Sequence, residues 1–475
     1  MPTMLRRLFK TSCLLLALAG AQQAWSATPA AESATPASRN PTTGEYLSIA
    51  SDCVACHTVP GGKPYAGGYG IDSPMGKIWS TNITPSREFG IGAYSLQDFS
   101  RAVREGVARD GHRLYPAMPY TAYASMTDQD VEALYHYFMK EVKPVDAPTP
   151  KTELPFPFSI RQSMIVWNAV NLSSGPFQAD PSKSEQINRG DYLVNTLAHC
   201  AACHTPRDFL LAEDAGRALS GGQLGAWFAP NITSDPVAGI GGWSDAELVA
   251  YLRTGHVKGK AQAAGPMAEA IEHSLQHLSD PDLHAIVAYL KQTRPVASGE
   301  AKPRYAFGGP DDTEARQRGN LVRDLDPGWR VYSATCAACH GARGEGTESY
   351  PSLYHNTVTG APDASNLIAT VLYGVHRKID AHEDISMPGF GPQASYTERL
   401  SDQQIADVSN YVLAHYGQVG QRVTPQDVAL ARSGGPEPAL IRVTRYALPV
   451  GGAVAVLLLI AIVYLVARRR ARKKA

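Results

Sequence analysis

The chain has 475 residues, with 44 Lys plus Arg against 44 Asp plus Glu, so its formal net charge is zero. That balance gives no basis for nucleic-acid binding, and the length suits several small domains rather than one. Six of the seven cysteines fall into one repeated pattern, which excludes a disulfide framework as the organising principle.

Residues 1–27 read as a secretory signal peptide. Arg6, Arg7 and Lys10 precede an apolar run from Cys13 to Ala21, with small residues near Ser26 and Ala27 for cleavage. Cys13 lacks the setting of a lipid anchor. Residues 28–43 are rich in Ala, Pro, Ser and Thr and read as a flexible arm.

Three Cys-x-x-Cys-His motifs follow: Cys53, Cys56 and His57; Cys200, Cys203 and His204; Cys336, Cys339 and His340. This spacing is the attachment site of a c-type haem, with two thiols joined to the porphyrin and the His on the iron. Zinc or dithiol chemistry would not require His in every copy. A four-thiolate site would need pairs more than a hundred residues apart to cooperate. The cofactor reading is therefore three covalently bound haem c groups, attached outside the cytoplasm.

The motifs divide the chain into units at 44–145, 183–293 and 321–418, separated by linkers at 146–182, 294–320 and 419–445. The first two units repeat in detail. Asn82-Ile83-Thr84 returns as Asn231-Ile232-Thr233, and Arg104-x-Gly106 as Arg253-x-Gly255, both offset by 149. A Gly and an aromatic residue stand before each motif: Gly44 with Tyr46, Gly190 with Tyr192, Gly328 with Trp329 and Tyr332. Each unit closes on a helix with a capping-box-like start, Thr127 with Asp130, Ser279 with Asp282, and Ser401 with Gln404. Ser95 with Asp98 and Ser244 with Glu247 start another helix in the first two units.

A sixth iron ligand is required, and a Met thioether would close the iron and raise its potential. Unit two contains only Met267, and unit three only Met387. Unit one offers Met75, Met118, Met126 and Met139. Met118 plus the offset of 149 is Met267, and Met118 precedes Pro119, so Met118, Met267 and Met387 are the candidates. Gap-filling in a core is the bland alternative for each. His112, His199, His256 and His376 are weaker claimants, and Arg207 could offset a haem propionate or lie in solvent.

From Tyr446 to Ala467 the chain is uncharged and mostly apolar, and 468–475 is basic. Its 22 residues would reach about 33 Å as a helix, so hydropathy predicts one C-terminal transmembrane helix with a cytoplasmic tail. No dinucleotide fingerprint, phosphate loop or nucleophile elbow is present, so no substrate-oxidising site is assigned.

The haem motifs, Asn82-Ile83-Thr84-Pro85 with Gly90-Ile91-Gly92, the run Leu114 to Tyr120, and Leu154 to Phe158 with Arg161 and Trp167 resemble one family. It is the three-haem cytochrome c subunit of bacterial membrane-bound dehydrogenases acting on alcohols, gluconate or related sugars. The resemblance covers about Gly44 to Gly417. It implies His/Met ligation at all three haems and docking on a catalytic subunit that carries flavin or quinone. It also implies electron delivery to ubiquinone or another respiratory acceptor, such as a terminal oxidase. Related subunits serve molybdenum-containing aldehyde or N-heterocycle hydroxylases. The expected fold class is all-α, three tandem class I cytochrome c domains plus the C-terminal helix. The expected location is the inner membrane, single-pass, with periplasmic haem domains. The rival readings are a multihaem peroxidase, a stand-alone carrier feeding an oxidase, and a redox sensor.

Overall fold

The computed structural model describes residues 41–173, 175–318, 325–380, 383–446, 451–452 and 457–460. The predicted signal peptide, nearly all of the arm, and the basic tail lie outside these residues. Six helices frame the three units: α1 (Thr43–Ala50) with α2 (Asp128–Lys140), α3 (Glu185–Tyr192) with α4 (Asp280–Leu290), and α5 (Pro327–Val331) with α6 (Asp402–Tyr416). In each pair the helix before the haem motif crosses the closing helix.

The crossing explains the repeated glycines. A Cβ added at Gly44 would lie 2.3 Å from the Ala133 carbonyl oxygen, at Gly190 2.0 Å from that of Ala285, and at Gly328 2.3 Å from that of Asp407. In all three cases the Cβ of a closing-helix tyrosine, Tyr137, Tyr289 or Tyr411, would also lie within 2.7 Å. Only a residue without a side chain lets the two backbones approach this closely.

The expectation of an all-α fold is corrected. Among the described residues, four two-stranded antiparallel hairpins stand between the helices: β1 (Gly70–Ser73) with β2 (Gly76–Trp79), β3 (Gly222–Leu224) with β4 (Trp227–Ala229), β5 (His256–Val257) with β6 (Ala261–Gln262), and β7 (Val375–Ile379) with β8 (Glu383–Met387). The strands of the first three hairpins have two to four residues, so a two-residue periodicity hardly develops in them.

The single transmembrane helix is also corrected. Among the described residues no helix is long and apolar enough to cross a membrane. Of the Tyr446–Ala467 stretch, residues 447–450, 453–456 and 461–467 lie outside the described residues. Residues 439–446, 451–452 and 457–460, the described parts of this region, are helical. Window hydropathy reports apolar composition and not secondary structure, and most of the apolar stretch lies outside the described residues.

The cores are unequal. Units one and two share one apolar cluster, running from Leu47 and Phe138 to Leu193, Ile286 and Leu290. Unit three has its own, built on Tyr332, Ile405, Val408 and Tyr416. It docks on unit two through β7. Arg377 is fully buried and donates from Nη1 to the Ala263 carbonyl at 2.7 Å, and Ile379 enters the core of the first two units. Gln276 Nε2 donates to the Lys378 carbonyl at 3.0 Å, and Lys378 N to Glu272 Oε2 at 3.0 Å. The linker helix Ser163–Asn171 is fastened to unit one by its buried Asn168. Asn168 accepts from Tyr120 Oη at 2.8 Å and donates to the Glu105 carbonyl at 3.0 Å.

Candidate haem and electron-transfer sites

The motifs occupy equivalent places in the three units. In unit one a left-handed Asp52 (φ 51°) ends the approach, and Cys53–His57 is a helical turn. In unit two α3 continues through a π turn at Leu193–Leu197, a left-handed His199 (φ 39°) and the helix Ala201–His204. In unit three a π turn at Tyr332–Cys336 leads into Ala337–His340. Cysteines three apart on a helical turn share a face, so both sulfurs of a motif can address one edge of a flat ligand.

The histidines are oriented alike. His57 Nδ1 lies 2.7 Å from the Thr81 carbonyl oxygen, His204 Nδ1 2.6 Å from that of Pro230, and His340 Nδ1 2.9 Å from that of Pro351. A carbonyl only accepts, so Nδ1 carries the hydrogen in each pair. Nε2 is left with the lone pair that a metal requires. Burial pushes all three imidazoles below their ordinary pKa, which keeps them neutral.

Thr81 and Pro230 stand immediately before the repeated Asn-Ile-Thr. Asn82 Oδ1 accepts from Thr84 N (2.9 Å) and Thr84 Oγ1 (2.7 Å), while its Nδ2 donates to the Val145 carbonyl (2.8 Å). Asn231 repeats this with Thr233 N (2.8 Å), Thr233 Oγ1 (2.7 Å) and the Val296 carbonyl (2.7 Å). The repeat therefore fixes the loop whose carbonyl orients the histidine. In unit three Asn356 ties down the loop after Pro351, donating to the Ser352 carbonyl at 3.0 Å and accepting from Val358 N at 2.9 Å.

The six motif cysteines form no disulfide. Burial pushes the thiols of Cys53, Cys56 and Cys200 up to about 12, and those of Cys203 and Cys336 upward as well. Reactive dithiols and zinc sites need thiolates, which such surroundings disfavour, whereas a thioether sulfur is neutral. Among the described residues no group of three or more His, Cys, Asp or Glu is placed to hold a metal ion. A haem iron needs only two protein ligands, so the residues present fit that group.

Met118 and Met267 pack, partly buried, against the shared core that also touches Cys53 and Cys200. Met387 ends β8 and packs with Cys336 against the third unit's core. Met126 is 1 % exposed inside the first core, and Met139 packs at its edge, both as fillers. Met75 belongs to a separate small cluster with Ile78, Tyr115 and Leu154. The weaker histidines have other partners. His112 Nδ1 is 2.5 Å from Asp110, His256 Nδ1 is 2.7 Å from Gln262 Oε1, and His376 is paired with Asp384 at 3.4 Å. His199 meets the ring of Tyr123 edge-on at 5.6 Å, and burial lowers its pKa to about 4. Arg207 is engaged by the Ala202 carbonyl and by Glu213. The hairpins and the buried Arg377 are the features that sequence reasoning missed. The buried–exposed alternation of β7 was a signal, but a charged residue on its inward face concealed it.

The cytochrome c family matches residues 42–141 and 325–415. The fructose dehydrogenase cytochrome subunit of Gluconobacter japonicus is 47% identical over 445 residues, 90% of this chain and 91% of that one. The chain belongs to the cytochrome c subunits of dehydrogenases. Similar relatives include the gluconate 2-dehydrogenase cytochrome c subunit of Pantoea cypripedii, at 40% identity over 82% of this chain and 88% of its own. Another is the cytochrome c subunit of the quinone alcohol dehydrogenase of Komagataeibacter europaeus, at 38% over 82% and 84%. This cytochrome subunit carries covalently bound haem c and takes electrons from a dehydrogenase. When bound, the haem supplies one-electron chemistry, and the chain supplies axial nitrogen, burial and orientation.

Proposed function

We propose that the subunit holds three haems, each with a His/Met pair: His57 with Met118, His204 with Met267, and His340 with Met387. It carries electrons from a catalytic dehydrogenase subunit to ubiquinone or a terminal oxidase. The observation that supports this best is the threefold recurrence of one construction: paired half-buried cysteines and a histidine whose Nδ1 is held by a backbone carbonyl. The haem units lie on the periplasmic side of the inner membrane, where covalent attachment takes place. The partner oxidises an alcohol, gluconate or a sugar, and the fructose dehydrogenase relative makes fructose the first substrate to try.

The test is purification of the chain in mild detergent from its own membranes, followed by addition of fructose, gluconate or ethanol. The expected result is a co-purifying flavin or quinone dehydrogenase and reduction of the haem bands by one substrate. A molybdenum hydroxylase as partner would change the substrate class. A chain that purifies alone or with an oxidase, and is reduced by none of the three, would contradict the proposal.

A further inference from the structure

Units one and two are related by a reciprocal contact that unit three lacks. In an ordinary capping box the N-cap side chain accepts from the third residue's N–H, and that residue's side chain returns to the N-cap N–H. Unit three does this: Ser401 Oγ accepts from Gln404 N, and Ser401 N donates to Gln404 Oε1 at 2.9 Å. At the closing helices of the first two units the return bond is missing, and a tyrosine from the other unit stands in its place. Tyr46 of α1 accepts from Ser279 N at 3.1 Å and donates to Asp282 Oδ2 at 2.7 Å, at the start of α4. Tyr192 of α3 accepts from Thr127 N at 3.2 Å and donates to Asp130 Oδ2 at 2.5 Å, at the start of α2.

The two tyrosines occupy the same place in their units, two residues after Gly44 and Gly190. The exchange is therefore isologous, as across a two-fold axis, although one chain makes both halves. Unit three has Arg330 at that position, two residues after Gly328. Arg189 completes one side, bonding both oxygens of Asp282 at 2.8 and 2.7 Å.

This clasp bears on the haem sites. The residues directly before the two motifs, Asp52 and His199, are both left-handed and lie in the same region. Tyr123, whose ring meets His199, donates from Oη to the Ser51 carbonyl at 2.7 Å. The helix Gly265–His273, which bears Met267, packs against the helix Cys53–His57. Across the same region the two units share a single core.

We propose that Tyr46 and Tyr192 are positioning residues that lock units one and two into a pseudo-two-fold haem pair, aligned for direct electron exchange. The inference rests on the reading that both sites hold haem. The step is a single electron transfer: one iron goes from ferrous to ferric as the other goes from ferric to ferrous, and no atom is exchanged.

The test uses the full-length haem-loaded protein with Tyr46→Phe, Tyr192→Phe and both together. Tyr135→Phe serves as control, since that hydroxyl bonds the Tyr94 carbonyl within unit one at 3.0 Å. Haem content and absorption spectra are measured first. Exchange between haems is then followed by pulse radiolysis, and magnetic interaction between the ferric haems by electron paramagnetic resonance. The double variant should keep its haems and their spectra yet lose the fast exchange phase and the magnetic interaction of one pair. The third haem and the control should be unaffected. A fully loaded double variant with wild-type exchange overturns the proposal. If the double variant loses haem, Asp130→Asn, which keeps the cap's volume, supports the proposal by slowing the same phase and overturns it by leaving that phase unchanged. A wild-type protein lacking haem at either motif would instead refute the underlying reading.

Discussion

Replacing Gly190 with Ala probes the crossing that sets the second haem unit. The new Cβ would fall 2.0 Å from the Ala285 carbonyl oxygen, 2.7 Å from its carbon and 2.7 Å from Tyr289 Cβ. Comfortable contact between carbon atoms begins at about 3.5 Å, so α3 and α4 must separate by more than an ångström. The obstacle is helix backbone, which cannot rotate away as a side chain could. Overpacking costs about 1–3 kcal/mol, and this case belongs at the upper end. Alanine returns up to about 1 kcal/mol through its better helix propensity, leaving a net loss of roughly 2 kcal/mol. Units one and two share a core and should melt together, and a cooperative unit of that size shifts about 2–4 °C per kcal/mol. The expected fall in Tm is therefore roughly 4–8 °C, read by circular dichroism and by haem absorbance on the loaded protein. Gly309→Ala is the control, since a Cβ there has no heavy atom within 4 Å. If Gly190→Ala melted with the wild type, the close crossing would not be a constraint and the account of the three glycines would fail.

Met118→Ala, Met267→Ala and Met387→Ala should each remove the Met-to-iron charge-transfer band of one haem, whereas Met75→Ala should leave all three. Asn231→Ala frees Thr233 N, Thr233 Oγ1 and the Val296 carbonyl. At about 1 kcal/mol net per hydrogen bond it should cost roughly 3 kcal/mol by denaturant titration. It should also disturb the spectrum of the second haem only, because the loop it holds supplies the Pro230 carbonyl; Asn82→Ala should do the same for the first haem. His199 gives a pH dependence. Burial lowers its folded-state pKa to about 4, below an unfolded value near about 6.5. Unfolding therefore takes up a proton between those values, so stability is full above the upper one and falls as pH drops toward the lower. Tm measured across that interval should decline, and His199→Gln should flatten the decline; an unchanged slope would remove His199 as its source.

The haem motifs were legible because covalent attachment imposes a fixed spacing on residue types that are otherwise rare. The Gly-plus-aromatic pairs were visible as a repeat, but their two roles were not. The glycine makes the helix crossing and Tyr46 or Tyr192 makes the clasp, and both depend on partners about sixty or more residues away. The capping signals show the same limit. Ser95 with Asp98, Ser244 with Glu247 and Ser401 with Gln404 close as full boxes. Thr127 with Asp130 and Ser279 with Asp282 form only half, because the Asp carboxylates are drawn to tyrosines of the opposite unit. The hairpins escaped because strands of two to five residues offer little periodicity. On β7 the inward Arg377 also breaks the apolar pattern. The C-terminal span was read from hydropathy alone, which weighs composition and not secondary structure, and among the described residues no helix is long and apolar enough to cross a membrane.

The account rests most heavily on three equivalent haem sites in one chain. Intact-mass measurement of the protein purified from its own membranes, with sequencing of its haem-bearing peptides, tests this directly. The expected result is three haem adducts, one each on the peptides with Cys53 and Cys56, Cys200 and Cys203, and Cys336 and Cys339. A mature chain with two adducts or fewer, or with free thiols at any motif, would contradict the account.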